Sequence, residues 1–216
     1  MTRKERIEKQ ARKIEGTEGE DHASFLARVV LKVTPKEYRL VDMAYDFAKR
    51  AHEKQCRESG ARYFEHLRGA VIILIDEFGI TDPELIISLW LHDCDEDTWL
   101  LFIERIGIIF GDRVRGIVET LTMPKANDPR FRGKAARKRW YYANLKAADV
   151  YAKIAKLIDR LQNTRALVAC SREKQLRKVA ETRRYILPLI DDVEKEFPRL
   201  GDPFREKFAL ALAKLA

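Results

Sequence analysis

The chain has 216 residues, a length typical of one domain with a sizeable core and short for two full domains. Charged residues make up 35% of it and hydrophobic residues 46%, and the two kinds are interspersed as in a helix-rich globular protein, which argues against a disordered chain. The net charge of +8 suits a polyanionic partner, either a nucleic acid or a small polyphosphate. No apolar stretch reaches the roughly 18 residues of a membrane span, and the charged start has no apolar signal-peptide region, so we expect a cytoplasmic protein without a membrane partner.

The cysteine pattern gives no support to two further classes of protein. Cys56, Cys94 and Cys170 are far apart and have no Cys-x-x-Cys spacing. This pattern favours neither a disulfide framework nor a thiolate zinc site, so we expect reduced thiols.

The chain is predicted to form one main domain with short additions at both ends. Residues 1–33 are predicted to be a charged N-terminal extension, because residues 1–20 have few apolar anchors and Gly16 and Gly19 interrupt any helix there. The main domain is predicted over residues 34–195. Residues 196–216 are predicted to be a C-terminal helix that packs on it.

Helix signals follow one another through the main domain. Thr34, Pro35 and Glu37 form a capping-box pattern at the start of the first helix. Gly79 is predicted to stop the second helix, and Thr81 with Pro83 to start the third. Helices are predicted at about 34–54, 62–79, 83–95, 99–109, 113–121, 134–146, 148–166, 173–193 and 204–214. Because no strand-like alternation of useful length occurs, the fold class is predicted to be all-α.

His92 and Asp93 are polar residues in an apolar setting. They follow the run from Ile86 to Leu91, near the end of a helix that is apolar on several faces. Burying an imidazole and a carboxylate costs several kcal/mol, on the order of 2–7, unless each finds a partner. The partner is either the backbone, through hydrogen bonds, or a divalent metal ion, for which these groups are suitable ligands.

Two further acidic elements leave the same choice open. Glu96 and Asp97 each lie four residues beyond His92 and Asp93, and a continuing helix would place them on the same side; alternatively, this acidic run is a solvated helix end. Asp159 interrupts an apolar stripe and is followed one turn later by Asn163. It either pairs with a lysine or arginine of its own helix or joins a site.

Four stretches in this order resemble the hydrolase domain of the Rel/Spo family of alarmone enzymes, and in particular its stand-alone small alarmone hydrolases. They are AHEKQCRESG at 51–60, YFEH at 63–66, LHDCDEDT at 91–98 and KLIDRLQN at 156–163. The resemblance covers roughly residues 40–190. It implies an HD-type helical bundle that removes the 3′-pyrophosphate from guanosine tetra- or pentaphosphate (ppGpp or pppGpp), giving GDP or GTP.

The resemblance also assigns roles to particular residues. It implies a Mn²⁺ ion bound by four ligands: His66, His92, Asp93 and Asp159. It implies that the metal activates a water and that Glu96 and Asp97 serve catalysis by positioning this water and handling its proton. It implies that Arg57, Ser59 and Asn163 line the nucleotide pocket.

The sequence departs from the family at three positions. Leu67 replaces the proline that usually follows the metal-binding histidine, and Asp95 replaces an apolar residue. Glu58 stands where the family often has a basic residue, which leaves the preference between guanine and adenine open.

Other functions are also compatible with the sequence. An HD phosphohydrolase of another nucleotide would have the same metal ligands, and a catalytically inactive alarmone receptor would need a defect elsewhere. A nucleic-acid-binding module is indicated by a mixture of basic and aromatic residues, whose competing interpretation is a solvated basic face with aromatic rings packed inside. The mixture comprises Arg130, Arg132, Lys134, Arg137, Lys138, Arg139, Trp140, Tyr141 and Tyr142. The sequence predicts no oligomeric state.

Overall fold

The protein is a bundle of α-helices in a computed structural model that describes residues 22–30, 32–94 and 103–215. The helices of these ranges are α1 His22–Ala27, α2 Pro35–Ala51, α3 Phe64–Ile72, α4 Pro83–Leu91, α5 Ile103–Phe110, α6 Asp112–Leu121, α7 Gly133–Ala147, α8 Val150–Ala166, α9 Arg172–Glu181, α10 Leu189–Glu196 and α11 Pro198–Ala213. Two π-helical turns continue α3 and α9, at Ile73–Glu77 and Thr182–Ile186, and a 3₁₀ turn, Leu167–Ala169, continues α8. In the described ranges no strand forms beyond one isolated bridge between Cys56 and Arg62, so the all-α prediction is confirmed.

The capping box predicted for the first helix is present. Thr34 Oγ1 accepts a hydrogen bond from the Glu37 backbone N–H, and Glu37 Oε2 accepts one from the Thr34 backbone N–H at 2.7 Å. These contacts satisfy two N–H groups that a helix start leaves unpaired, and Pro35 at the first position has none to satisfy. The helix ends at Ala51, three residues earlier than predicted.

The third predicted helix corresponds to α4 and differs at both ends. Asp82 caps it, and the prediction of Thr81 was wrong: Asp82 Oδ1 accepts a hydrogen bond from the Leu85 backbone N–H at 2.9 Å. The reason is that Pro83 takes the first helical position, so the cap is the residue directly before it. The helix ends at Leu91, short of the predicted residue 95, and His92 and Asp93 lie in the turn that follows.

The last two predicted helices were wrong in extent. The span 173–193 is divided into α9 and α10, because the π-helical turn and then Pro188 interrupt a single α-helix. The final helix starts at Pro198, six residues before the predicted residue 204, and continues through Pro203. Its apolar stripe holds this early part in place, since Leu200, Phe204 and Phe208 are all buried.

The central helix is α8, which packs against α3, α4, α6, α10 and α11. Its side chains are buried on every face, and they include several polar ones, among them Asp159 and Gln162. The predicted N-terminal extension, residues 1–33, contains a segment that packs on the same core: Phe25 and Val29 are fully buried, and Phe25 meets the Trp90 ring edge to face at 5.1 Å. The domain boundaries at residues 33 and 195 stay predictions.

Two predicted absences can be checked over the described residues. None of their helices is both long enough and apolar enough to cross a membrane. Cys56, Cys94 and Cys170 all have free thiols, as predicted.

Candidate metal centre and nucleotide pocket

Three helices bring His66, His92 and Asp159 together. His66 is in the first turn of α3, His92 directly follows α4 and Asp159 is in the second half of α8, and these three helices pack against one another. Their side chains are buried, and each offers one ligand atom within 4.8 Å of the others. Asp159 Oδ1 lies 3.3 Å from His66 Nε2 and 3.5 Å from His92 Nε2. The fold thus brings together His66 and Asp159, which are 93 positions apart in sequence.

Asp93 adds a second carboxylate to this cluster. Its Oδ2 atom lies 3.2 Å from His92 Nε2 and 3.7 Å from His66 Nε2. Two ligand atoms that are each about 2.1 Å from one metal ion lie about 3 Å apart when they subtend a right angle at it. The spacing of the four predicted ligands therefore suits a single divalent cation, with two nitrogen and two oxygen donors.

Both histidines present the Nε2 atom to the cluster because Nδ1 is engaged elsewhere. His92 Nδ1 donates to the Leu89 carbonyl at 2.9 Å, and His66 Nδ1 donates to the side-chain carbonyl of Gln162. Such hydrogen bonds fix the ring orientation and, when the ring is neutral, select the tautomer with a free Nε2 lone pair. Because His92 Nε2 is buried and makes no hydrogen bond of normal geometry, it fits the role of a metal ligand.

The electrostatics of the cluster also favour a cation. Burial alone would lower the pKa of His92, but the negative charges of Asp93 and Asp159 outweigh it and raise this pKa to about 9. Burial raises the pKa of Asp159, but the charge of Lys156 and the two histidines hold it well below its usual range. The carboxylates are thus ionised at neutral pH and would stabilise positive charge between them.

Asp93 is oriented by an aromatic pair. The Tyr63 hydroxyl donates to Asp93 Oδ2 at 2.6 Å. The Tyr63 ring stacks on the His52 ring with 4.7 Å between centroids, and His52 is itself buried and bonded to Gln55 at 2.7 Å. Tyr63 was singled out in the sequence only as part of a motif, and the structure gives it this specific contact.

Asp159 has partners on its own helix as well as in the cluster. Lys156 Nζ donates to its Oδ2 atom at 3.0 Å, and Asn163 Nδ2 donates to Oδ1 at 2.6 Å. The two interpretations of Asp159 left open by the sequence therefore both hold: it pairs with a lysine one turn away, and it faces the two histidines. Helical spacing of three and four residues explains the first, and only tertiary packing explains the second.

A cavity of about 440 Å³ opens beside the cluster. Asp93 and Asp159 line it, and so do all three residues predicted to bind nucleotide: Arg57, Ser59 and Asn163. The volume lies within the range of small-molecule sites, about 300–1,000 Å³.

Arg57 is held on the wall of this cavity. Its guanidinium donates to Asn163 Oδ1 at 2.7 Å and to Gln162 Oε1 at 3.4 Å. Gln162 thus contacts both Arg57 and His66, a role that the sequence analysis missed because no pattern distinguishes it from other glutamines. Behind Arg57 the loop turns at Gly60, whose φ of +86° favours glycine.

Glu58, one of the departures from the family, forms an ion pair across the cavity. Its carboxylate accepts a hydrogen bond from Lys174 of α9, and both residues line the cavity. This contact lowers the pKa of Glu58, which is therefore ionised at neutral pH.

Glu181, at the end of α9, collects several donors on another part of the cavity wall. Its carboxylate accepts hydrogen bonds from Lys138, Tyr142 and Arg160, and Lys178 Nζ lies 3.6 Å away. Burial raises the pKa of Glu181, but the hydrogen bonds from Lys138 and Tyr142 and the charge of Arg160 lower it to about 2.

The basic and aromatic segment that suggested nucleic-acid binding is partly internal. Tyr141 and Tyr142 are buried, with their hydroxyls donating to the Leu121 carbonyl and to Glu181 respectively. Trp140 is 40% exposed, and Arg130 lies over its ring and is bonded to Asp128. Two of the three aromatic rings therefore form no part of an exposed stacking surface.

Glu96 and Asp97, the predicted catalytic pair, and Asp95, the third departure, lie outside the described residues. Leu67 is fully buried in α3, where it contributes to the core.

Known proteins resemble this chain over most of its length. The HD domain family matches residues 44–189. Guanosine-3′,5′-bis(diphosphate) 3′-pyrophosphohydrolase MESH1 of Xenopus tropicalis is 37% identical over 136 residues, which are 62% of this chain and 73% of that protein. MESH1 of Homo sapiens is 36% identical over 132 residues, 60% of this chain and 70% of that protein.

A solved structure is similar to the fold as a whole. Described as a metazoan ortholog of SpoT that hydrolyses ppGpp, it superimposes with a TM-score of 0.64 at 25% identity, covering 79% of this chain and 94% of the other. The family match includes all four predicted ligands: His66 and Asp159, which lie in α3 and α8, and His92 and Asp93, which lie in the turn after α4. The chain belongs to the HD domain family, and its relatives include the MESH1 and SpoT-like proteins that are described as ppGpp hydrolases.

Proposed function

We propose that this protein is a Mn²⁺-dependent hydrolase that removes the 3′-pyrophosphate of ppGpp or pppGpp, with GDP or GTP as the other product. The observation that supports it most is the convergence of His66, His92, Asp93 and Asp159 beside a cavity lined by Arg57. The relatives named above are described as hydrolases of this same bond.

The residues of the cluster would hold the metal, and the cavity would hold the nucleotide. A bound divalent ion would polarise a phosphoryl oxygen and lower the pKa of a nearby water so that it can attack at neutral pH. Tyr63 fixes the orientation of Asp93, and Gln162 fixes that of His66. These two ligands therefore need no rearrangement when the metal ion binds. Glu96 and Asp97 are proposed to position the attacking water and accept its proton.

The remaining cavity residues would bind the substrate. The Arg57 guanidinium, fixed by Asn163, can donate to a phosphate or lie against a purine face. The excess of lysine and arginine around Glu181 would attract a highly anionic nucleotide. A nucleic acid would need an exposed stacking surface that the buried Tyr141 and Tyr142 do not provide.

The test compares pyrophosphate release from ppGpp by purified protein with Mn²⁺, by EDTA-treated protein, and by the Asp159→Asn variant with Mn²⁺. We expect release only with metal, and a loss of at least about a hundredfold in kcat/KM for Asp159→Asn. The matched control is Asp112→Asn, a carboxylate with a side chain 86% exposed on α6, which should change neither activity nor bound Mn²⁺. Mn²⁺ binding is measured separately by calorimetry.

Two outcomes would contradict the proposal in different ways. If the protein binds Mn²⁺ and leaves ppGpp intact, the alarmone assignment fails and other nucleotides become the substrates to test. If Asp159→Asn binds Mn²⁺ and hydrolyses ppGpp like the unchanged protein, the assignment of the ligands fails.

A further inference from the structure

The ion pair of Glu58 and Lys174 has no role in the chemistry described so far. Glu58 lies in the loop between α2 and α3, and Lys174 lies 116 positions later in α9. Their side chains are 54% and 34% exposed, and both line the cavity, so both are accessible to a ligand within it.

Two series of polar residues, joined by contacts or by adjacency in sequence, lead away from Asp159 along the cavity wall. The first runs through Asn163 to Arg57, and the next residue, Glu58, pairs with Lys174. The second runs along α8 to Arg160, which bonds to Glu181 at 3.2 Å. The two series meet at Asp159, in the candidate metal centre.

The two series differ in charge. In the first, Glu58 offsets one of two cations, Arg57 and Lys174, which leaves a single positive charge. In the second, three cations, Lys138, Arg160 and Lys178, share the single carboxylate of Glu181, which leaves a larger excess of positive charge. A nucleotide whose 3′-diphosphate lies at the metal has two other branches, a neutral base and a 5′-diphosphate. Charge complementarity assigns the 5′-diphosphate to the cationic side and the base to the side of Glu58.

We propose that Glu58 is a specificity-determining residue that selects guanine over adenine. The inference rests on the proposed function and names the feature of the substrate that this site distinguishes. Guanine presents N1–H and N2–H₂ as adjacent donors, and a carboxylate accepts from both at once. Adenine presents the unprotonated N1 as an acceptor at the same edge, and an acceptor facing the carboxylate forms no hydrogen bond. Lys174 holds the carboxylate at this position on the wall.

The test uses three substrates with identical 3′- and 5′-diphosphates: the guanosine, inosine and adenosine forms. Hypoxanthine keeps N1–H but lacks the N2 amino group, so it removes one of the two hydrogen bonds without changing the charge. With Mn²⁺, we expect kcat/KM to fall in the order guanosine, inosine, adenosine, by about tenfold or more between the first and the last. In Glu58→Ala the three values should agree within about twofold, because the acceptor is gone; Glu58→Gln, nearly the same in shape, should fall between.

The matched control is Glu53→Ala, an exposed carboxylate in the turn after α2 that does not line the cavity. It should keep the substrate order of the unchanged protein. Since the guanosine and inosine forms carry the same charge, a general electrostatic role of Glu58 would leave their ratio unchanged.

The outcomes separate this inference from the proposed function. If Glu58→Ala and Glu58→Gln keep the guanosine preference, or if the unchanged protein hydrolyses all three forms equally, Glu58 does not read the base although the hydrolase stands. If the unchanged protein binds Mn²⁺ and hydrolyses none of the three, the proposed function itself fails, and this inference fails with it.

Discussion

At the scale of single residues, the candidate metal centre depends on side chains that hold the ligands. Each predicted ligand has at least one contact that orients it: Tyr63 for Asp93, Gln162 for His66, the Leu89 carbonyl for His92, and both Lys156 and Asn163 for Asp159. These partners matter because a metal ion binds tightly only when its ligands have the right geometry. A carboxylate or imidazole without such a contact would lose conformational entropy when the metal ion orders it.

Tyr63→Phe tests this support directly. The substitution removes only the hydroxyl that donates to Asp93, so we expect Mn²⁺ affinity to fall by about 10- to 100-fold with little change in helix content. Calorimetric titration with Mn²⁺ measures the affinity, and circular dichroism measures the helix content. Tyr38→Phe, a partly buried tyrosine packed on the core from α2, is the control. Equal affinities for Mn²⁺ in Tyr63→Phe and the unchanged protein would show that Asp93 needs no such donor.

At the scale of secondary structure, α4 determines where the His-Asp pair lies. Its side chains from Leu85 to Leu91 are all buried, and the turn after Leu91 delivers His92 and Asp93 to the cluster. Asp82 fixes the start of α4. This cap therefore also determines which residues fall at the end of the helix and in the turn after it.

Asp82→Ala should therefore destabilise the protein by about 1 kcal/mol in the free energy of unfolding, since the Leu85 N–H loses its acceptor at the helix start. The free energy of unfolding is measured by urea denaturation, with circular dichroism as the probe of unfolding. Thr81→Ala is the matched control, with an expected change within about 0.5 kcal/mol, because Thr81 does not cap the helix. A larger loss for Thr81→Ala than for Asp82→Ala would contradict the assignment of the cap.

At the scale of the whole molecule, charge is organised between elements that are distant in sequence. Glu181 of α9 links α7, through Lys138 and Tyr142, to α8, through Arg160. Its side chain is only 7% exposed, so its charge is little screened by solvent. The Glu181 carboxylate thus connects three helices, α7, α8 and α9.

The stability of the fold should depend on the ionisation of Glu181. Its pKa is lowered to about 2 from 4.5, so its contribution is fully present above pH 4.5 and is lost as the pH falls towards 2. We expect the free energy of unfolding to decrease over this window more steeply in the unchanged protein than in Glu181→Gln, which should also be less stable at pH 7. Urea denaturation at a series of pH values gives both curves; parallel curves would mean that the pKa of Glu181 is the same in the folded and the unfolded protein.

The sequence by itself determined the helical character of this protein and most of its helix starts. Those features are local: the Thr34 capping box and the apolar spacing of α8 involve residues three or four apart, which contact one another in any α-helix. The position of His92 after a buried apolar run also required only nearby residues. The roles of His66 and Asp159 came from the resemblance to a family, because in isolation a histidine near a helix start and an aspartate next to an arginine are ordinary.

Tertiary structure alone decided which of these residues meet. His66, His92 and Asp159 converge only because α3, α4 and α8 pack together, and the crossing of packed helices depends on the fit of whole surfaces, which short-range patterns do not encode. The same is true of Gln162 between Arg57 and His66, of Glu58 with Lys174, and of Glu181 among its cations. Sequence predicts elements through local hydrogen bonding and periodicity, whereas the site arises from contacts between different elements, whose residues are up to 116 positions apart.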